Sequence, residues 1–316
     1  MVKRIAAGIL LLVLFAGAAL AEETTVYQPI RDYQTYFNLE GAGWIVESFR
    51  RDQNRELTLS QAQGYLSLAR RAGVKEVYVY LVNSSRTIDL DHPEKEPPLW
   101  PYLQECYPDC TLGCLKIDSV ETYRSYFYRT DHHWNYRGSY EGYKDVIRML
   151  LGEDEPLLEP LETIEFPFVF NGSYYKRMGR TDSREQFTVY RFEYPEMSVW
   201  INQSRRKTYG KAQAYFDGRV VSDGAYTNHY GEFYGGDNGL IQFSTGRPEK
   251  ESVMIISNSY SNPLNMLIAS HFNNTVVVDP RLYEKEIGKE PTLGKLIQNY
   301  GVTKILLLGD ASFFWW

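Results

Sequence analysis

Asp131-His132-His133-Trp134 sets a carboxylate beside two imidazoles, directly ahead of a helix-like pattern. Such a run serves three chemistries: metal ligation, half of a nucleophilic triad, or packing of polar rings in a core. Asp131 and His133 are two apart, so on an extended or turned segment their side chains can share a side. The carboxylate can then hold one ring nitrogen while the other acts as base. His132 would point away. A metal needs a third ligand and neighbouring histidines on an extended segment diverge, so no metal is expected, and no cofactor. A base of this kind needs a nucleophile. In SVMIISNSYSNPLNMLIASHF, Ser259 lies just past an apolar strand and ahead of a helix, where N-terminal amides can stabilise an oxyanion.

The elements that must position these groups are legible as patterns. Ser60–Ala72 reads as a helix capped by Ser60 and ended by Gly73, followed by a buried strand over Val77–Val82. Polar residues Asn83 to Arg86 follow that strand, and Arg86 is a candidate for binding a polar substrate group. Gly138–Leu151 reads as a helix with Tyr143, Val146, Ile147 and Leu150 on one face. From about Glu155 to Pro248, short alternating runs broken by Gly, Asn and Asp predict an antiparallel β-rich insertion. An α/β rhythm then resumes: strand Val253–Ser257, helix Pro263–Phe272, strand Thr275–Asp279, helix Leu293–Tyr300 and strand Lys304–Leu308. Strands alternating with helices predict a parallel sheet flanked by helices, with sites beyond the strands' C-terminal ends.

Composition narrows the partners. Lys3 and Arg4, the apolar run Ile5–Leu20 and the closing Ala19-Leu20-Ala21 read as a signal peptide over residues 1–21, with an uncleaved anchor as the alternative. The expected product is a secreted or cell-envelope protein whose single domain spans 22–316. Removing Lys3 and Arg4 takes the formal net charge from -6 to -8, and an acidic chain without basic clusters is a poor partner for nucleic acid. The 26 tyrosines and 6 tryptophans suit either β structure and core or a surface that stacks on sugar rings. Cys106, Cys110 and Cys114 sit on one Pro/Gly-containing loop, and export predicts one disulfide and one leftover thiol.

TDHHWN, ISNSYSN and VVVDPRLY together resemble the DHHW proteins, which are similar to the alginate O-acetylation proteins and to the wider SGNH hydrolase-like group. The resemblance implies an α/β SGNH-like fold in permuted order, with the Asp-x-His pair falling on Asp131 and His133 ahead of a nucleophile at Ser259. Family members usually carry Gly-Asp before that serine; this chain has Ser257-Asn258. In Glu232–Gly239, Gly236 and Asn238 read either as turn chemistry or as oxyanion donors of the kind SGNH enzymes use, and Tyr234 as an aromatic facing substrate. The implied function is a serine esterase or O-acetyltransferase acting on a polysaccharide or peptidoglycan, with a membrane-bound acetyl-donor partner. The alternative is a glycan-binding or envelope-assembly protein that keeps the fold without catalysis.

Overall fold

The computed structural model describes residues 25–47, 49, 54–219, 224 and 226–314. The expected signal peptide, residues 1–21, lies outside them. Strands β1 (Tyr27–Ile30), β2 (Tyr33–Leu39) and β3 (Trp44–Glu47) form an N-terminal antiparallel sheet. The strands that follow are β4 (Glu76–Leu81), β5 (Thr111–Cys114), β6 (Glu162–Val169), β7 (Gln186–Arg191), β8 (Ser198–Ile201), β9 (Ser204–Arg206), β10 (Leu240–Ser244), β11 (Ser252–Ser257), β12 (Asn274–Val278) and β13 (Lys304–Gly309). Eight of them build the central sheet in the order β5-β4-β13-β11-β12-β10-β8-β9. Its first five strands are parallel, in register Ile255↔Leu306 and Ile255↔Val277; β10, β8 and β9 continue it antiparallel.

The apolar runs in β4, β11, β12 and β13 are what strands covered on both faces require. Because side chains alternate, Val253 and Ile255 of β11 join one core with Tyr143, Val146, Ile147 and Leu150 of helix Tyr136–Leu151. Met254 and Ile256 join the opposite core, with Ala62 and Ala69 of helix Arg55–Ala72 and Leu296 and Ile297 of helix Leu293–Tyr300. Each fully buried aliphatic side chain contributes about 1.5–3 kcal/mol. This two-sided burial fixes β11 rigidly, and Ser259 follows it by two residues. Among the described residues no helix is long and apolar enough to cross a membrane.

Several local expectations shift. The first long helix begins at Arg55, where Asn54 caps it by accepting from the Leu57 N–H at 3.1 Å, and Ser60 is an exposed residue in its middle. Arg55-Glu56-Leu57 are good helix formers, so an earlier cap wins. The stretch after Ser259 is a 3-10 turn, Ser259–Ser261, and then a short helix, Asn265–Ala269, instead of a helix over Pro263–Phe272. Among the described residues between Glu155 and Pro248, β6 and β7 form a separate antiparallel pair, β8, β9 and β10 join the central sheet, and three short helices lie between. Alternation in sequence identifies a strand but not the sheet it joins.

Cys106, Cys110 and Cys114 are all unpaired, against the expected disulfide. They occupy a helix end, a turn and strand β5, and each packs against the core beside helix Arg55–Ala72. Backbone direction at those three elements, not proximity in sequence, decides whether thiols can bridge.

Candidate active site

The segment carrying Asp131 and His133 is a bend pinned at both ends. Phe127 bridges to Trp134, and Trp134 is fully buried against Gly142, where an added Cβ would meet its ring at 2.6 Å. Asn135 caps the next helix, its Oδ1 accepting from the Arg137 and Gly138 N–H groups, while its Nδ2 donates to the Ser125 and Phe127 carbonyls. Trp134 and Asn135 therefore anchor the run, and Asp131 and His133 are held on it.

Asp131 Oδ1 accepts from the His133 backbone N–H at 2.9 Å and from His133 Nδ1 at 2.6 Å. Its Oδ2 accepts from the Ser173 N–H at 2.6 Å. Burial alone would raise the Asp131 carboxyl, but the charges of His133 and His132 and the bonds from His133 outweigh it and hold Asp131 well below the usual carboxylate range. An ionised Asp131 keeps the proton on Nδ1, so Nε2 presents its lone pair. That Nε2 lies 2.7 Å from Ser259 Oγ. The structure thus brings together all three residues singled out from the sequence, across 126 positions.

His132 does not point away. The bend at Asp131 turns both rings to one side, and they lie 3.8 Å apart between centroids, with His132 Nδ1 2.6 Å from Ser173 Oγ. Burial, then the charge of His133, pushes His132 well below its ordinary value, so it stays neutral beside its neighbour. Asp131, His132 and His133 can each offer one ligand atom within 4.8 Å of the others. In the structure those atoms are engaged with one another, with Ser173 and with Ser259.

Ser259 opens the turn Ser259–Ser261, where an N–H has no partner within the turn. Asn258 caps that turn, its Oδ1 accepting from the Tyr260 N–H at 3.3 Å while its Nδ2 donates to buried Asp310 at 3.5 Å. An aspartate at this position would set two carboxylates against each other, which accounts for asparagine here. Ser257 Oγ donates to Ser261 Oγ at 2.5 Å and braces the same turn.

Ser259 and His133 line a cavity of about 530 Å³ that also exposes Gly236, Lys176, Arg281 and Tyr230. Gly236 has φ +68°, so its backbone approaches in a left-handed conformation that favours glycine. The other expected binding residues lie elsewhere. Asn238 donates its Nδ2 to the Gly235 and Gly236 carbonyls at 3.1 Å each, closing the turn instead of facing an oxyanion. Arg86 is paired with Glu47 at 2.8 Å and faces buried Asp310 at 3.8 Å, so two acids hold its guanidinium. Tyr234 packs on Tyr230 and Phe233 and lines a separate narrow cavity of about 50 Å³, beside Tyr209 and Asn262.

No local pattern marks Ser173, Tyr230, Asp237 or Asn262 as site residues. Asp237 accepts from Asn262 Nδ2 at 2.9 Å and Arg281 Nη2 at 3.2 Å, tying the loop after Tyr234 to the turn after Ser259. No short motif predicts such a tie, since its members lie on a loop, a turn and the helix Pro280–Glu286.

Comparison with known proteins agrees with this architecture. Bacillus cereus PatB1 is similar in fold, with a TM-score of 0.64 at 16% identity over 87% of this chain and 96% of that one. A PatB1 structure with a sulfonyl adduct gives 0.62 at 16% identity, over 86% and 94%. A DHHW family protein from Eubacterium siraeum gives 0.60 at 16% identity, over 89% and 91%. No curated protein sequence matches the chain. The family model described as "DHHW protein" matches residues 110–278, which hold Asp131, His133 and Ser259 alike. With more than half of its length so matched and an SGNH-like α/β fold around the match, the chain belongs to the DHHW family.

Proposed function

We propose that this protein is a serine esterase or O-acetyltransferase acting on a polysaccharide, with Ser259 as nucleophile, His133 as general base and acid, and Asp131 orienting His133. The observation that carries the reading is the 2.7 Å approach of His133 Nε2 to Ser259 Oγ at a cavity, with Nδ1 held by Asp131 at 2.6 Å. Ser259 Oγ attacks the acetyl carbonyl carbon and its proton passes to Nε2. Collapse breaks the ester bond, the leaving alcohol takes that proton, and the acetyl group stays on Ser259. Water or a sugar hydroxyl then attacks the acyl carbon and gives its proton to Nε2; the bond to Ser259 Oγ breaks as Oγ takes that proton back, so hydrolysis and transfer use the same groups. Ser259 and Gly236 both line the cavity, and their amides are the candidate donors to the oxyanion.

The substrate reading rests on a polar cavity that a sugar can enter and on the family resemblance. Export through the N-terminal segment would place the protein at the cell envelope, where a membrane-bound partner can supply acetyl groups. The test uses a sulfonyl fluoride, since PatB1 accepts a sulfonyl adduct. One label per chain at Ser259 is expected, together with hydrolysis of p-nitrophenyl acetate. Both should fall by about 10²–10⁴-fold in His133→Ala. Folded protein that takes no label and cleaves no ester would favour a glycan-binding role.

A further inference from the structure

The His133 imidazole has a ring on each of its faces. His132 covers one, at 3.8 Å between centroids and tilted by 37°. Tyr230 covers the other, at 4.0 Å and only 12° from parallel. Tyr230 also donates its hydroxyl to the Ser259 carbonyl oxygen at 3.0 Å. It comes from helix His229–Tyr234, is almost wholly buried, and is wedged edge-on between Tyr128 and Tyr234. One immobilised side chain therefore touches both the base and the backbone of the nucleophile.

We propose that Tyr230 is a positioning residue for the Ser259–His133 pair: its ring fixes the plane of the imidazole, and its hydroxyl fixes the Ser259 carbonyl. This inference rests on the acyl-transfer reading above. Asp131 holds Nδ1, but one contact at Nδ1 leaves the ring able to turn about its own axis. The Nε2 lone pair lies in the ring plane, so such a turn carries it off Ser259 Oγ. A parallel ring at 4.0 Å blocks that motion. On the other side, Ser259 begins a turn of three residues, too short to be rigid alone. The bond from Tyr230 adds a fixed point at the carbonyl, which also accepts from the Asn262 N–H at 3.2 Å. When His133 takes the proton from Ser259, the imidazolium faces the electron-rich side of the Tyr230 ring, a favourable cation–π contact.

Two variants separate the ring from the hydroxyl. Tyr230→Leu removes both; Tyr230→Phe keeps the ring. For each, kcat and KM on p-nitrophenyl acetate, the rate of sulfonyl fluoride labelling and the melting temperature are measured. For Tyr230→Leu, kcat and labelling rate should fall by about ten- to a hundredfold, as loss of orientation does. For Tyr230→Phe the fall should be about two- to fivefold, the conservative change recovering most of the loss. KM should stay within about twofold in both, because Tyr230 acts on the catalytic groups and not on the ester. Wild-type kcat in a folded Tyr230→Leu, or a rise in KM alone, would overturn the proposal. If Tyr230→Leu does not fold, wild-type kcat and labelling in Tyr230→Phe overturn it. A wild-type protein that neither labels nor cleaves ester instead fails the acyl-transfer reading, and this inference with it.

Discussion

Asp131, His133 and Ser259 repeat, at 2.6 and 2.7 Å, a pattern that the molecule builds a second time from Glu155, His271 and Tyr143, at 3.0 and 2.7 Å. Both chains run acid to imidazole to hydroxyl, and both join residues more than 100 positions apart. Their ends differ. Ser259 lines a cavity of about 530 Å³ and opens a short turn. Tyr143 is fully buried on helix Tyr136–Leu151, accepts from the Leu158 N–H at 2.8 Å, and does not line the surface cavity that His271 and Glu155 share. Burial pushes its phenol up to about 12, so it keeps its proton and donates it to His271 Nε2. The second chain ties a helix to the turn before β12 and to the loop before β6. Relay geometry alone does not make a nucleophile; access and oxyanion donors at the hydroxyl do.

Removing the acid from each chain gives the largest contrast. Asp131→Asn turns an amide NH₂ toward Nδ1, moves the ring proton to Nε2 and deprives Ser259 of its base, so kcat should fall by about 10³–10⁴-fold. Glu155→Gln, assayed on the same ester, should leave kcat within about twofold and lower stability by about 1 kcal/mol. Comparable losses of kcat in the two variants would show that the second chain also serves the chemistry.

A smaller effect tests how tightly the first chain is framed. At Gly172 an added Cβ would meet the Thr130 carbonyl oxygen at 2.4 Å and Asp131 Cβ at 2.5 Å. Gly172→Ala must displace the backbone that carries Asp131, so kcat should drop by about 10²-fold. Its folding stability, read from urea unfolding, should drop by about 1–3 kcal/mol. Unchanged kcat would mean that the bend tolerates movement and that rigidity at Asp131 is not what distinguishes the two chains.

The smallest effect concerns a third acid, Glu185, just before β7, which accepts from the Arg129 N–H at 2.9 and 3.1 Å and steadies the same bend. Burial, reinforced by the charge of Asp131, pushes its carboxyl up to about 8 from an ordinary 4.5 despite the Arg129 bond. The folded chain then holds a proton that the unfolded chain releases. Glu185 thus contributes stability that is full below about 4.5 and is lost as pH rises through about 8. Glu185→Gln keeps an acceptor for Arg129 and should remove that slope. Relative to the wild type, its stability should gain progressively between pH 5 and 8 in chemical denaturation. An unchanged slope would place the pH dependence elsewhere.

The catalytic candidates were readable because each sits in a strong local pattern. Val253–Ser257, Thr275–Asp279 and Lys304–Leu308 match β11, β12 and β13 to within a residue, since parallel strands covered on both faces must be apolar throughout. Ser259 follows from β11, and Asp131 and His133 from their spacing ahead of a capped helix. Arg86, Asn238 and Tyr234 stand out by residue type and by their place at a strand end or ahead of the nucleophile strand, and neighbours decided each of them: Glu47 with Asp310, two glycine carbonyls, and an aromatic cluster. Tyr230, one of 26 tyrosines, carried no local mark, because its helix of six residues is too short for periodicity to reveal.

The sequence by itself determined what depends on near neighbours: the apolar strands, the helix faces, and Asp131, His133 and Ser259 as the candidate acid, base and nucleophile. Only the tertiary structure decided what depends on distant segments meeting. It set β8, β9 and β10 on the edge of the central sheet, left the cysteines unpaired, and turned His132 onto His133. It likewise laid Tyr230 across His133 and the Ser259 carbonyl. The physical reason is range: periodicity and capping act over a few residues, whereas access, burial and ring contact are properties of surfaces that exist only once the sheet and its helices have closed on one another.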